Sequence, residues 1–385
     1  MLVEICCQRY AEYRRLRESD PVHRDANGIW LLSRYRDVAA VLRDFQFGRK
    51  NLIQLLEKNG GLPETEINGT LLFEDPPEHT RLRALVAKAF TPSLMESFRP
   101  RVGAIADRLL DPHSGSNKID LIRQFAELVP VVLMTEMLGV LEPDRDQFLE
   151  WAREMAASRE VRSESASKRV VKAQQAMTTY FRDLIRYRQE HPGTDLVSAL
   201  MAAEQEGDRL SESEVLHACN LLFVAGHETT INLIGNTTIL LLQHPEEMAR
   251  VQSNPDLLSG AVEESLRCES PVQRVVRIAN SDVELAGKRI SKGALISAII
   301  AAANRDPERF PDPDRFVVVR EPNHHLAFGW GAHFCIGAAL ARLEAAGAIG
   351  ALLQRFPQMQ LEDGGTLWRD SAEIRGLREL QVRLR

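Results

Sequence analysis

Apolar residues recur at three- and four-residue spacing through 35–44, 78–90, 95–110 and 170–191, which predicts an amphipathic helix at each. A longer pattern runs from Ser211 to His244. Ser211 followed by Glu214 reads as a capping box at its start, and Pro245 ends it. Its middle, Ala218 to Leu242, is apolar on nearly every face, so this helix is expected at the centre of the core. Strand patterns are few. GIWLLS (28–33) and RVVRIA (274–279) are short and β-branched or aromatic. The stretch 282–300 reads as two or three short strands broken at Gly287 and Gly293. Residues 304–323, rich in Pro and Asp, read as irregular. A Gly-rich loop at 328–337 precedes an Ala-rich helix from about Ile336 to Phe356. The expected fold class is mainly α, a large helical body with small β-sheets at one edge.

Composition narrows this picture only a little. The chain has 385 residues, 44% hydrophobic and 26% charged, with no linker-like or low-complexity tract, so one domain over 1–385 is expected, with 1–10 poorly ordered. A formal net charge of −6 speaks against a nucleic-acid partner. No apolar run approaches the ~18 residues of a membrane span, and the first residues read as neither signal peptide nor anchor. Five cysteines, an odd and sparse set, argue against a disulfide framework and for a reducing, cytoplasmic setting. Cys6 and Cys7 read as incidental.

The strongest chemical pattern is Phe328-Gly329-Trp330-Gly331-Ala332-His333-Phe334-Cys335-Ile336-Gly337. The glycines permit tight turns and close approach to something flat, and a helix N-terminus just after Cys335 favours its thiolate, a soft ligand for iron. A zinc site is not indicated, because no second Cys/His pair accompanies His333 and Cys335. A second pattern, Ala225-Gly226-His227-Glu228-Thr229-Thr230, places an acid and hydroxyls inside the longest apolar helix. That burial is costly unless the groups are partnered. A Thr there bonds back to a carbonyl one turn earlier, and Gly226 leaves a notch sized for a diatomic molecule.

These segments, in this order and over most of the chain from about residue 20, resemble the cytochrome P-450 family. The resemblance is to soluble bacterial members, above all those that tailor polyketides or oxidise fatty-acyl chains. It implies that Cys335 is the axial ligand of a haem b iron, with Phe328, Gly329, His333 and Gly337 shaping the haem loop. Glu228 and Thr229 match the pair that delivers protons to bound dioxygen, with Ala225 and Gly226 beside the haem. His79 and Arg83, four apart on one helix face, together with Arg277 and His333, match the groups that bind the haem carboxylates. Arg81 is expected to face away and be solvated. Glu264 and Arg267 match a buried structural pair, with Arg315 as its third member; Cys268 stands where the family often has an aromatic residue.

The implied reaction inserts one oxygen atom of O2 into a largely apolar organic substrate, by hydroxylation or epoxidation, in secondary-metabolite tailoring. Electrons come ultimately from NAD(P)H. The chain carries no G-x-G-x-x-G unit and no Cys cluster, so a ferredoxin and its reductase are the expected donors, greeted by residues such as Arg342 and Lys88. Family likeness places the substrate among 45–75, Leu221 to Ala225, Val272 to Val276 and the segment near Ile374. The charged stretch Arg153 to Lys172 reads as a lid or a solvated face, and a carrier protein is a further candidate partner. A haem sensor or electron carrier would be a different class of protein; a sensor would bring an output domain, and an electron carrier needs no buried Glu228-Thr229 pair. A peroxide-using or isomerising haem-thiolate enzyme stays open, although such relatives often lack that pair, and so does a fatty-acyl hydroxylase.

Overall fold

The computed structural model describes residues 2–50, 52, 71–158 and 164–384. Its axis is the helix Glu212–Gln243. Ser211 caps it as expected: its hydroxyl accepts from the Glu214 amide, while the Glu214 carboxylate accepts from the Ser211 amide at 2.7 Å. Every position from Thr230 to Leu241 is buried, so this part of the cylinder has no solvent side. The helix links two apolar clusters. One gathers Val215 to Phe223 with helices Leu128–Met137, Arg145–Ser158 and Glu164–Glu190. The other gathers Ile231 to Leu241 with helices Leu258–Cys268 and Ala338–Arg355. The polar segment 225–229 falls between the two clusters, where packing is least apolar.

Most expected elements are present. The helices Tyr35–Arg43, Glu78–Ala89 and Glu164–Glu190 match the periodic stretches. The segment 95–110 is two helices, Pro92–Ser97 and Arg99–Leu110, because Pro100 has no N–H to donate back across the junction at Phe98. The chain start is helical over Leu2–Ser19. A five-stranded sheet runs in the spatial order Val22–Arg24, Trp30–Leu32, Leu295–Ala298, Val275–Ala279 and Phe47–Gly48. Parallel pairing of Trp30–Leu32 with Leu295–Ala298 joins an early segment of the chain to a much later one. The antiparallel pair Gln360–Trp368 and Leu377–Arg383, extended by Lys118–Asp120, had no clear sequence pattern. Its register shifts between Leu361 and Thr366 and again after Leu367, so apolar residues do not alternate strictly.

Candidate haem and oxygen site

The 328–337 loop is folded by its glycines. Gly329 and Gly331 have φ of +74° and +73°, and a Cβ on Gly331 would lie 2.8 Å from the Leu42 carbonyl oxygen. The Cys335 amide donates to the Phe328 carbonyl at 2.9 Å, closing the loop so that the thiol leads into the helix Ala338–Arg355. Gly337 has an ordinary φ of −86° and open space where a Cβ would project. It serves not for a turn but to leave room against the loop. The Cys335 thiol reaches accessible space, whereas Cys219 and Cys268 are buried. Protein surrounds the Cys335 sulfur on most other sides, and this burial raises its pKa; the Gly337 amide, Arg83 and Arg342 pull it down. A coordinating cation would offset that burial, since a metal-bound thiol is deprotonated outright.

Basic groups converge on the same loop. The His79 and His333 rings lie 4.1 Å apart, and His333 also feels Arg49, Arg277 and Arg83. Burial, reinforced by these cations, holds His333 down at about 2; burial and Arg83 hold His79 at about 4. Burial likewise lowers Arg277 to about 10 and, with Arg277 beside it, Arg49 to about 9. The carboxylate facing them is Asp75, which already accepts the Arg49 and Lys50 amides at 2.8 and 3.1 Å. Neither ring nitrogen of His79 has a partner among the described residues, nor does Nε of Arg49. Three guanidiniums and two imidazoles around one committed carboxylate fit a group that brings two carboxylates of its own. His79, Arg83, Arg277 and His333 were expected here. Arg49 and Asp75 were not, because they reach the site from the end of the strand Phe47–Gly48 and the loop before the Glu78–Ala89 helix rather than from a periodic face.

Arg81 is not a free surface cation. Its guanidinium pairs with Glu78 at 2.8 Å, with Asp208 at 3.2 Å and with Glu214, tying the His79-Arg83 helix to the start of the central helix. Arg342 is also engaged: it forms a bidentate pair with Glu263 at 2.6 and 2.9 Å and lies 4.5 Å over the Phe328 ring. Burial would raise the Glu263 carboxyl, but Arg342 and His325 together hold it at about 2. Lys88 remains exposed.

In the central helix Thr229 Oγ1 donates to the Ala225 carbonyl at 2.8 Å, and Thr230 Oγ1 to the Gly226 carbonyl at 2.8 Å. Glu228 is buried. Ala225 is exposed in the middle of this otherwise covered helix. The expected notch at Gly226 is filled: a Cβ there would sit 3.1 Å from Met134 Sδ, so the small residue admits Met134, and the open position is Ala225.

Glu264 and Arg267 are fully buried and joined by two bonds of 2.8 Å. Their third member is Arg320, not Arg315. Arg320 Nε donates to Glu264 at 2.9 Å, whereas Arg315 is exposed and enters through its backbone carbonyl. Cys268 fits beside this pair, its sulfur 3.0 Å from Arg267 Nη2. Arg320→Ala should destabilise the protein by about 3 kcal/mol, because it strips a buried carboxylate of a cation. Arg315→Ala should stay within about 0.5 kcal/mol. Denaturant midpoints of the two variants check this, and the opposite order would restore Arg315.

The family model described as Cytochrome P-450 matches residues 28–368. Cytochrome P-450 107B1 of Saccharopolyspora erythraea is 43% identical, covering 97% of this chain and 95% of its own length. The monooxygenase PikC of Streptomyces venezuelae is 40% identical over 98% of this chain and 91% of its own. Among solved structures, P-450 BioI in complex with a hexadec-9Z-enoic acid-ligated acyl carrier protein superposes with a TM-score of 0.90 at 37% identity, covering 99% of this chain and 100% of that one. The chain belongs to the cytochrome P-450 family and is an oxidoreductase of the monooxygenase class, whose cofactor is haem. No helix among the described residues is long and apolar enough to cross a membrane.

Proposed function

We propose that this protein is a haem-thiolate monooxygenase for a largely apolar acyl or polyketide chain, in which Cys335 would supply the thiolate that holds the haem iron and a ferredoxin and its reductase supply the electrons. The observation that carries the site assignment is the gathering of Arg49, His79, Arg83, Arg277 and His333 above the Cys335 loop, with Asp75 as the carboxylate among them. When bound, the haem iron supplies the dioxygen chemistry and its electron balance. The protein's residues hold, orient and protonate. The basic groups would clamp the two carboxylates, and Gly329, Gly331 and Gly337 would let the loop lie close to a flat ring. Phe328 and Arg342, stacked on one another, screen the Cys335 side. Glu228 passes protons toward the open position at Ala225, and Thr229 holds an oxygen-bearing group there through the lone pairs left on Oγ1.

Support for the substrate class comes from the relatives: PikC is a monooxygenase, and the BioI structure contains an acyl carrier protein with its fatty-acyl group. Val272, bridged to Ile374, and the half-buried Leu221 and Val224 offer apolar walls. Most of the expected 45–75 pocket segment (53–70) and part of the Arg153 to Lys172 stretch (159–163) lie outside the described residues. A carrier-borne substrate extends the same reading. The test is a titration of the holoenzyme with palmitate, palmitoyl-carrier protein and a macrolactone, following the haem absorption band. At least one of the three should shift the band at micromolar concentration; no shift with any of them would overturn the substrate class.

A further inference from the structure

A cavity of about 550 Å³ opens where helices Pro92–Ser97, Leu128–Met137 and Glu164–Glu190 end and helices Arg99–Leu110 and Leu196–Ala202 begin. It shares no lining residue with the Cys335 loop, the basic cluster or the 225–230 segment. Its volume is in the range of roughly 300–1,000 Å³ common to small-molecule sites. Leu94, Phe98, Met137 and Leu196 supply apolar walls, and the polar wall carries two ion pairs, Arg101–Glu136 and Arg188–Asp195. Asp195 is fixed in place. Its Oδ1 accepts from the Ser198 amide at 2.9 Å and its Oδ2 from Arg188 Nε at 2.6 Å. Two glycines make room for it: a Cβ on Gly139, where φ is +78°, would fall 2.6 Å from its Cγ, and one on Gly193 2.6 Å from its Oδ2. Glu136 is equally committed. It accepts from Arg101 Nε and Nη2 at 2.5 and 2.6 Å and from Arg145 Nη1 at 2.8 Å. Burial would raise its carboxyl, yet Arg101 and Arg145 hold it below the usual carboxylate range.

Every oxygen of the two carboxylates therefore has a donor, and what the polar wall still offers is donors of its own. Arg188 Nη1 and Nη2 and Arg101 Nη1 have no hydrogen bond among the described residues, and neither does the hydroxyl of Thr194 on the same wall. Counting Arg145, three guanidiniums face two carboxylates, which leaves one net positive charge; Arg108 and Glu142, next outward, cancel. A guanidinium fork suits a carboxylate best, and apolar walls beside it favour a ligand whose body water solvates poorly. We propose that this cavity is a second small-molecule site, which takes an apolar carboxylic acid as its anion. The head sits on the free nitrogens of Arg188 and Arg101, and the body lies against Leu94, Phe98, Met137 and Leu196. Glu136 and Asp195 keep their own donors and act as the posts that aim the two arginines. A cation of the same shape meets carboxylates that are already paired.

The test is a calorimetric titration of the holoenzyme with 2-naphthoate, with 4-phenylimidazole saturating the haem so that the active site is filled. One naphthoate should bind per chain. Naphthalene-2-carboxamide, the same shape without the charge, should bind roughly tenfold more weakly or worse, the scale of a lost charge-assisted pair. Arg188→Gln should weaken 2-naphthoate by a similar factor. Ser97→Trp, at an exposed position lining the cavity, fills the space without touching either ion pair and should abolish binding. Both variants should keep the parent's reduced, carbon monoxide-bound spectrum, which shows that they are folded and loaded. If Arg188→Gln does not fold, Ser97→Trp and the carboxamide decide the matter. Naphthoate that binds only at millimolar concentration, equal affinity for acid and amide, or parental affinity in either folded variant overturns the proposal.

Discussion

Cys335→Ser should abolish the thiolate-type absorption band of the reduced, carbon monoxide-bound protein and lower monooxygenase turnover by more than the ~100-fold typical of losing an outer-shell partner of a metal. The physical reason is specific to sulfur. A serine hydroxyl stays protonated where a metal-bound thiol does not, and it cannot push electron density onto the iron as a thiolate does. The loop itself should survive, because the hydrogen bonds that close it come from the backbone: Cys335 N–H to the Phe328 carbonyl, Gly329 N–H to the Leu326 carbonyl and Phe334 N–H to the Gly331 carbonyl. Haem content of the variant, measured against total protein, should therefore fall less than activity, since on the proposed assignment Arg49, His79, Arg83, Arg277 and His333 would still hold the haem carboxylates. A variant with the parental absorption band and turnover would remove Cys335 from the site.

Glu228→Ala and Thr229→Ala should separate substrate binding from proton delivery. Both variants should load haem and shift their absorption band with substrate like the parent. Glu228→Ala should slow NADH consumption roughly 10²-fold, within the range for losing a general acid. Thr229→Ala should keep consuming NADH but divert most of it to hydrogen peroxide, because the Oγ1 held at 2.8 Å from the Ala225 carbonyl is gone. NADH consumed, peroxide formed and product formed, measured together, decide the matter. Equal product per NADH in both variants and the parent would refute the assignment.

Much of the site was legible along the chain because its parts are local. The Phe328 to Gly337 loop is one contiguous segment. Glu228 and Thr229 stand out as polar residues in an apolar helix, and His79 and Arg83 share a face through helical periodicity. The capping box at Ser211 and Glu214 needs only its own turn, and both of its bonds are present. Other features gave no such pattern. Nothing in the residues around Arg49 marks it as a partner of His333. The choice of Arg320 over Arg315 turns on a contact with Glu264, 56 residues away. Arg81 reads as a solvated helix residue until Glu214, 133 residues on, is folded against it.

What the sequence by itself determined, then, is the class of chemistry: a thiol in a glycine-bent loop, an acid and an alcohol in a core helix, and basic residues spaced to share a face. These follow from short-range geometry, in which residue spacing sets direction. The tertiary structure alone decided which cations gather beside the Cys335 loop, that Met134 fills the space at Gly226 and that Arg320 completes the buried pair. Those outcomes depend on which distant segments pack together, and packing is set by the whole core rather than by any local run of residues.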